Sequence, residues 1–93
     1  MSLTFEWDPE KASDNTLKHQ VSFEEAATCF GDTLSRTIHD PEHSESEDRY
    51  VLLGMSARGR LLVVVHAERG DNIRLISARL ANRREIANYS QSQ

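Results

Sequence analysis

The chain has 93 residues, 28% of them charged, and a formal net charge of -4. That length supports one core without disulfide staples, and the lone cysteine, Cys29, has no partner, which suits a reducing compartment. No run approaches the ~18 apolar residues of a membrane helix and no charged-then-apolar leader opens the chain, so one soluble, cytoplasmic domain over residues 1–93 is expected.

The net acidity hides an asymmetry. Residues 1–56 carry 4 Lys/Arg against 12 Asp/Glu, a net of -8, and residues 57–93 carry 7 arginines against 3 acids, a net of +4; the halves add to -4. The basic half has no lysine. Guanidinium groups are suited to bidentate contacts with phosphate or carboxylate, so anionic partners stay open despite the overall sign.

In chain order, Thr4–Trp7 alternates and reads as a short strand. Asp8-Pro9-Glu10 then gives a carboxylate N-cap and a proline in the first turn, starting a short polar helix over about Pro9–Leu17. Lys18 and His19 follow at its C-terminus, where positive charge interacts well with the helix dipole. Ser22 and Glu25 form a capping box for a second helix. Its apolar stripe, Phe23, Ala26, Ala27 and Phe30, predicts packing against a sheet, with Gly31 as the stop. Thr33–Ile38 is β-prone and reads as an edge strand, and His39–Asp48 as a polar, acidic loop.

The run from Asp48 to Arg79 is the organising stretch. Arg49–Ser56, Arg60–Glu68 and Asn72–Arg79 read as three strands, joined by Ala57-Arg58-Gly59 and Arg69-Gly70-Asp71. Glycine in each connection supplies the positive φ of a tight turn. Leu61–Val65 is apolar without alternation, as in a central strand covered on both faces. Its neighbours alternate, so Tyr50 and Leu52 oppose Arg49, Val51 and Leu53. In the third strand, strict alternation puts Ile73, Leu75, Ser77 and Arg79 on one face and Arg74, Ile76, Ala78 and Leu80 on the other. Leu80–Tyr89 reads as a C-terminal helix capped by Asn82 and Glu85, with Ile86 and Tyr89 apolar, Arg83-Arg84 exposed, and a frayed tail from Ser90 to Gln93. The expected class is α+β: an antiparallel meander with two N-terminal helices and one C-terminal helix.

Several groups carry chemistry. His39 and His43, with Asp40, Glu42 and Glu45, are metal-ligand types, but Pro41 interrupts them and no helix fixes their spacing, so a solvated acidic loop is preferred. Glu47 and Arg49 share one face as a surface ion pair or as a base beside a phosphate clamp. Ser77 and Arg79 likewise suit either a strand end or a phosphate contact. No P-loop, dinucleotide fingerprint, nucleophile elbow or zinc-finger spacing is present.

Phe5-Glu-Trp-Asp-Pro-Glu-Lys-Ala12, Asn15-x-x-Lys18-His19 and Val21-Ser22-Phe23-Glu-Glu-Ala26 together resemble the opening of the BrnT-type toxins. Glu47-x-Arg49, Gly54-x-Ser56, Gly59-Arg60, Arg74-x-Ile76-Ser77-Ala78-Arg79, Arg84-Glu85 and Tyr89 continue the resemblance in order along nearly the whole chain. Gln20 stands where the family usually has glycine. The resemblance implies a RelE-like fold and a ribonuclease toxin of a type II toxin–antitoxin pair, with no metal or other cofactor. It implies a BrnA-like ribbon-helix-helix antitoxin, two toxins per complex, and DNA contact only through that antitoxin. His19, Glu47, Arg49, Ser77 and Arg79 become the catalytic candidates, with His19 or Glu47 as base. Lys18, Arg60 and Arg69 become RNA contacts, and Arg74, Arg79, Arg83 and Arg84 antitoxin contacts. The alternative is a domain that binds a partner without catalysing a reaction.

Overall fold

A computed structural model describes residues 3–43 and 47–91. Its elements are β1 (Thr4–Glu6), α1 (Pro9–His19), α2 (Phe23–Thr28), β2 (Arg36–Asp40), β3 (Arg49–Met55), β4 (Leu61–Arg69), β5 (Asn72–Leu80) and α3 (Arg83–Gln91). The strands form one five-stranded sheet in the order β1-β5-β4-β3-β2. The expected meander is β3-β4-β5, antiparallel throughout, and β1 joins the far side of β5 in parallel. The apolar strand β4 is central, as its lack of alternation requires. Gly59 and Gly70 take φ of 79° and 59° in the two turns.

Asp8 caps α1 by accepting from the Glu10 amide at 2.9 Å. The helix runs two residues past Leu17, and Gln20 closes it at φ 60°, a left-handed conformation that suits the family's glycine better. Polar as it is, α1 is not a bystander. Asn15 is buried and Ala12 packs against the core, whereas Leu17 is 82% exposed. In α2 the Ser22 hydroxyl accepts from the Glu25 amide at 3.0 Å, but the Glu25 carboxylate does not turn back to complete the capping box. It is buried with Ser56 (2.7 Å) and Arg60 (2.9 Å to Nε) and so ties α2 to the β3–β4 turn.

Phe23, Val21 and Ala26 are fully buried against Leu62, Val64, Leu75 and Ala78, forming the core on one face of the sheet. Phe30 lies edge-on to His66 at 4.8 Å and to Phe5 at 5.1 Å. Gly54 sits where the turn Cys29–Gly31 meets the sheet. A Cβ there would fall 3.1 Å from the Cys29 carbonyl oxygen, so a side chain would push two backbones apart.

The edge strand and the last helix are also bounded differently from expectation. The edge strand begins at Arg36 rather than Thr33, because Asp32 accepts from the Leu34 amide at 2.9 Å and bends residues 33–34 into a turn. His39 and Asp40 accordingly belong to β2, and Pro41–His43 form a 3-10 turn. The acidic segment at Ser44–Ser46 lies outside the described residues. At the other end, α3 starts at Arg83 and includes Ser90 and Gln91. Its capping box is complete: Glu85 N donates to Asn82 Oδ1 (2.9 Å) and Asn82 N to Glu85 Oε1 (2.8 Å). Tyr89 is buried and donates to Asp32 at 2.6 Å, whereas Ile86 is half exposed.

The strict alternation expected of β5 fails at one place. Val65 of β4 pairs with Ser77 while the next residue, His66, pairs with Leu75, so Ile76 is an extra residue in the strand. Such a β-bulge reverses the parity beyond it. Ile73, Leu75, Ala78 and Leu80 therefore share the core face, and Arg74, Ser77 and Arg79 share the open one. This corrects the pattern read from strict alternation.

Candidate functional site

The open face of the sheet is ordered in rows by cross-strand register. One row crosses all five strands: Asp40, Arg49, Ala67, Arg74, Glu6. The next is Ile38, Val51, Val65, Ser77, and the third is Arg36, Leu53, Val63, Arg79. Small and aliphatic residues in the middle of each row form a floor from which the guanidinium groups rise.

At one end Glu47 accepts from Arg69 Nε at 2.6 Å, and Arg69 lies 3.8 Å from Glu6. The Arg69 hydrogen bond holds the Glu47 carboxyl below the ordinary carboxylate range, against partial desolvation, with attraction from Arg74 and Arg49 adding to it. Glu47 is thus a committed anion and a weakened proton acceptor. At the other end Arg79 makes a bidentate pair with Glu85, both contacts 2.8 Å. That pair fixes the Arg79 fork at the base of α3.

His19 reaches this surface from the side. Beyond Arg74, where β1 stops pairing, α1 lies along the outer edge of β5. The Asn15 amide donates to the Ala78 carbonyl at 2.8 Å and accepts from the Ala78 amide at 3.1 Å. One turn later Lys18 and His19 line a shallow cleft of about 200 Å³ with Lys11, Asp14, Ile76 and Ser77. Ser77 belongs to both surfaces, the open face by register and the cleft by contact.

Of the five catalytic candidates, Glu47 and Arg49 lie in one group with Arg69 and Arg74, while His19 lies in another with Lys18 and Ser77. Arg79 stands in the row next to Ser77. Glu47 and His19 are not neighbours, because β5 lies between them. Arg60 is elsewhere: its guanidinium binds Glu25 and the Gln20 carbonyl (3.2 Å) on the core side. Arg83 and Arg84 are exposed on the first turn of α3. Neither Lys11, which lines the cleft, nor Arg36, on the edge strand, was among the candidates read from the sequence. The bulge at Ile76 had no sequence signal, since an isoleucine there fits an unbroken strand equally well.

Burial excludes some other candidates. Desolvation, with the nearby Glu25 and Asp32, pushes the Cys29 thiol up to about 12, so it is an inert core residue. His39 approaches Asp48 at 3.2 Å. Among the described residues, no group of three or more His, Cys, Asp or Glu side chains is placed to hold a metal ion. Among those residues, no helix is long and apolar enough to cross a membrane.

An α+β domain with an arginine-rowed open sheet face flanked by a lysine–histidine cleft has the cations and proton-transfer groups for work on a phosphodiester. The family profile described as "Ribonuclease toxin, BrnT, of type II toxin-antitoxin system" matches residues 7–85. The chain belongs to that family. Among solved structures it is similar to the crystal structure of the Brucella abortus ribonuclease toxin BrnT, with a TM-score of 0.64 and 19% identity over 88% of this chain and 100% of that one. At that identity the likeness concerns the fold. A comparison with curated proteins gave no match.

Proposed function

We propose that this protein is a metal-independent endoribonuclease whose cleavage of RNA arrests translation. The observation that carries the reading is the bulge at Ile76, which puts Ser77 and Arg79 on the same face as Arg49 and Arg74. Arginines over a partly desolvated floor can stabilise the charge of a pentavalent phosphorane without a metal ion. The RNA 2′-oxygen attacks phosphorus, a base takes its proton, and an acid protonates the departing 5′-oxygen, leaving a 2′,3′-cyclic phosphate and a 5′-hydroxyl. His19 is the proton-transfer group of choice because it stands beside Ser77, whereas Glu47 is held as an anion by Arg69. Lys18 and Arg69 contact flanking phosphates, Ser77 hydrogen-bonds a non-bridging oxygen, and Glu47 orients the arginines. Arg60 contributes through the fold, by holding Glu25.

The family's toxin–antitoxin character supports a cognate inhibitor. The reading is a BrnA-like ribbon-helix-helix antitoxin that pairs to bind DNA and so carries two toxins, with Arg74, Arg79, Arg83 and Arg84 within its reach. Mass spectrometry of the RNA products tests the chemistry. Cyclic phosphate ends formed in EDTA are expected; 3′-hydroxyl and 5′-phosphate ends would reject it.

A further inference from the structure

The open face is not charged throughout. Between the arginine rows and α3 lies a cavity of about 260 Å³, floored by Ile38, Val51, Leu53 and Val63 and walled by Arg36 and Glu85. Ile38 is 64% exposed on the last strand of the sheet, and Ile86 on α3 is 47% exposed. An apolar concavity rimmed by charge has the composition of an interface core.

The chemistry of the lining narrows the occupant. Unpaired bases bind by stacking on aromatic rings, and this floor is wholly aliphatic, so the groove is not built for RNA. The aromatic row His39, Tyr50, His66 is on the other face of the sheet. A second copy is disfavoured by charge. Arg36 on one wall and Arg84, one helical turn before the lining residue Asn88, make no hydrogen bond or ion pair among the described residues. Self-association through this face would gather those guanidinium groups into one interface. Carboxylates beside an apolar anchor would complement them.

We propose that this groove is the docking site of the antitoxin, taking a segment in which a large apolar side chain is flanked by carboxylates. The proposal rests on the toxin reading above. It also supplies a mode of inhibition. Val63 pairs with Arg79, and Val51 lies in the row of Ser77 with Val65 between them, so a segment seated in the groove covers the face on which RNA phosphates would lie. Neutralisation is then simple occlusion, with no change of fold required.

The test uses the full chain and, as probe, the product of the reading frame adjacent to its own, with Ile38→Glu and Arg36→Glu as variants. Ile38 is exposed and outside the catalytic set, so RNA cleavage by free Ile38→Glu should match wild type; Arg36 shares a row of the face with Arg79, so Arg36→Glu is read by antitoxin binding alone. The expected result is antitoxin affinity weakened at least tenfold by Ile38→Glu, with a proportional loss of neutralisation. Arg36→Glu should act in the same direction and flatten the salt dependence of binding. Unchanged affinity in both variants overturns the proposal. So does a wild type that self-associates through Ile38 while binding antitoxin independently of it, or one that binds no antitoxin at all. A wild type that binds antitoxin through Ile38 but cleaves no RNA would support the groove and refute the ribonuclease reading.

Discussion

The side-chain amide of Asn15 bonds to both backbone polar groups of Ala78, donating at 2.8 Å and accepting at 3.1 Å, as a neighbouring strand would. The same Nδ2 also donates to the Val21 carbonyl at 2.9 Å. One buried side chain therefore anchors α1 to the edge of β5 and to the loop that follows, and through α1 it sets the position of Lys18 and His19. Asn15→Ala leaves the Ala78 amide and carbonyl without these partners, each at a cost of ~1–3 kcal/mol, and leaves the Val21 carbonyl only the long contact from the Thr16 hydroxyl at 3.5 Å. With partial access of water, a total loss of about 3–5 kcal/mol is expected. Urea unfolding at constant m-value checks it, and a loss under 1 kcal/mol would mean α1 is held by other contacts.

Gln20 occupies a left-handed conformation at φ 60°. A side chain there costs ~1–2 kcal/mol relative to glycine, partly offset by glycine's greater unfolded-state entropy. Gln20→Gly should raise stability by roughly 0.5–1 kcal/mol. Its carbonyl still accepts from Arg60, so RNA cleavage should be unaffected. A drop in melting temperature would show that the Gln20 side chain makes a compensating contact.

Glu25 is the hub of a buried polar cluster. Its carboxyl lies below the ordinary 4.5, chiefly through the Arg60 hydrogen bond, which with Ser56 and the attraction of Arg60 and Arg58 outweighs desolvation. A folded-state pKa below the unfolded one gives stability that is present above pH 4.5 and lost as pH falls through the folded value. Glu25→Gln should cost about 2–3 kcal/mol at neutral pH, less than the ~3–5 of a wholly buried pair because the Arg60 side chain is 29% exposed. Stability measured from pH 7 to pH 3 should fall less steeply in the variant. Parallel curves would assign the acid lability elsewhere.

How far the sequence reached depends on whether the information was local. Caps and apolar stripes are local, and they located α1, α2, α3 and the β3-β4-β5 meander. Glu25 was read as a local cap, yet its carboxylate is drawn to Arg60 on a distant turn, because burial makes a charge seek its counter-ion. The burial of Asn15 was not legible, because nothing in a polar helix marks the one amide that will meet a sheet edge. In β5 the error was one of parity: a single extra residue at Ile76 moved Ser77 and Arg79 across the sheet. Which candidate residues share the open face and which lie at the edge cleft therefore depended on that bulge.

His66 is buried between Tyr50, stacked at 5.7 Å, and Phe30. Among the described residues its Nδ1 has no hydrogen-bond partner, and its Nε2 is 3.9 Å from Glu68. Desolvation lowers its pKa from the ordinary 6.5, outweighing the raising influences of the Val64 backbone and Glu68. The unfolded chain therefore takes up a proton before the folded one does, and stability should decline as pH drops below 6.5. His66→Phe should remove that slope between pH 7 and pH 5.5. An unchanged slope would trace it to another group.

The central claim is that His19 and the arginine-rowed face act on one phosphodiester without a metal ion. The most direct measurement is the single-turnover rate of RNA cleavage in EDTA for wild type, His19→Ala and Arg49→Ala. Wild type should cleave at the same rate with and without chelator. Each variant should lose roughly 10²–10⁴-fold, the usual share of a proton-transfer or charge-stabilising group, while its unfolding midpoint stays near wild type. Full rates in both folded variants, or activity in the wild type that appears only with added divalent cation, would contradict the account.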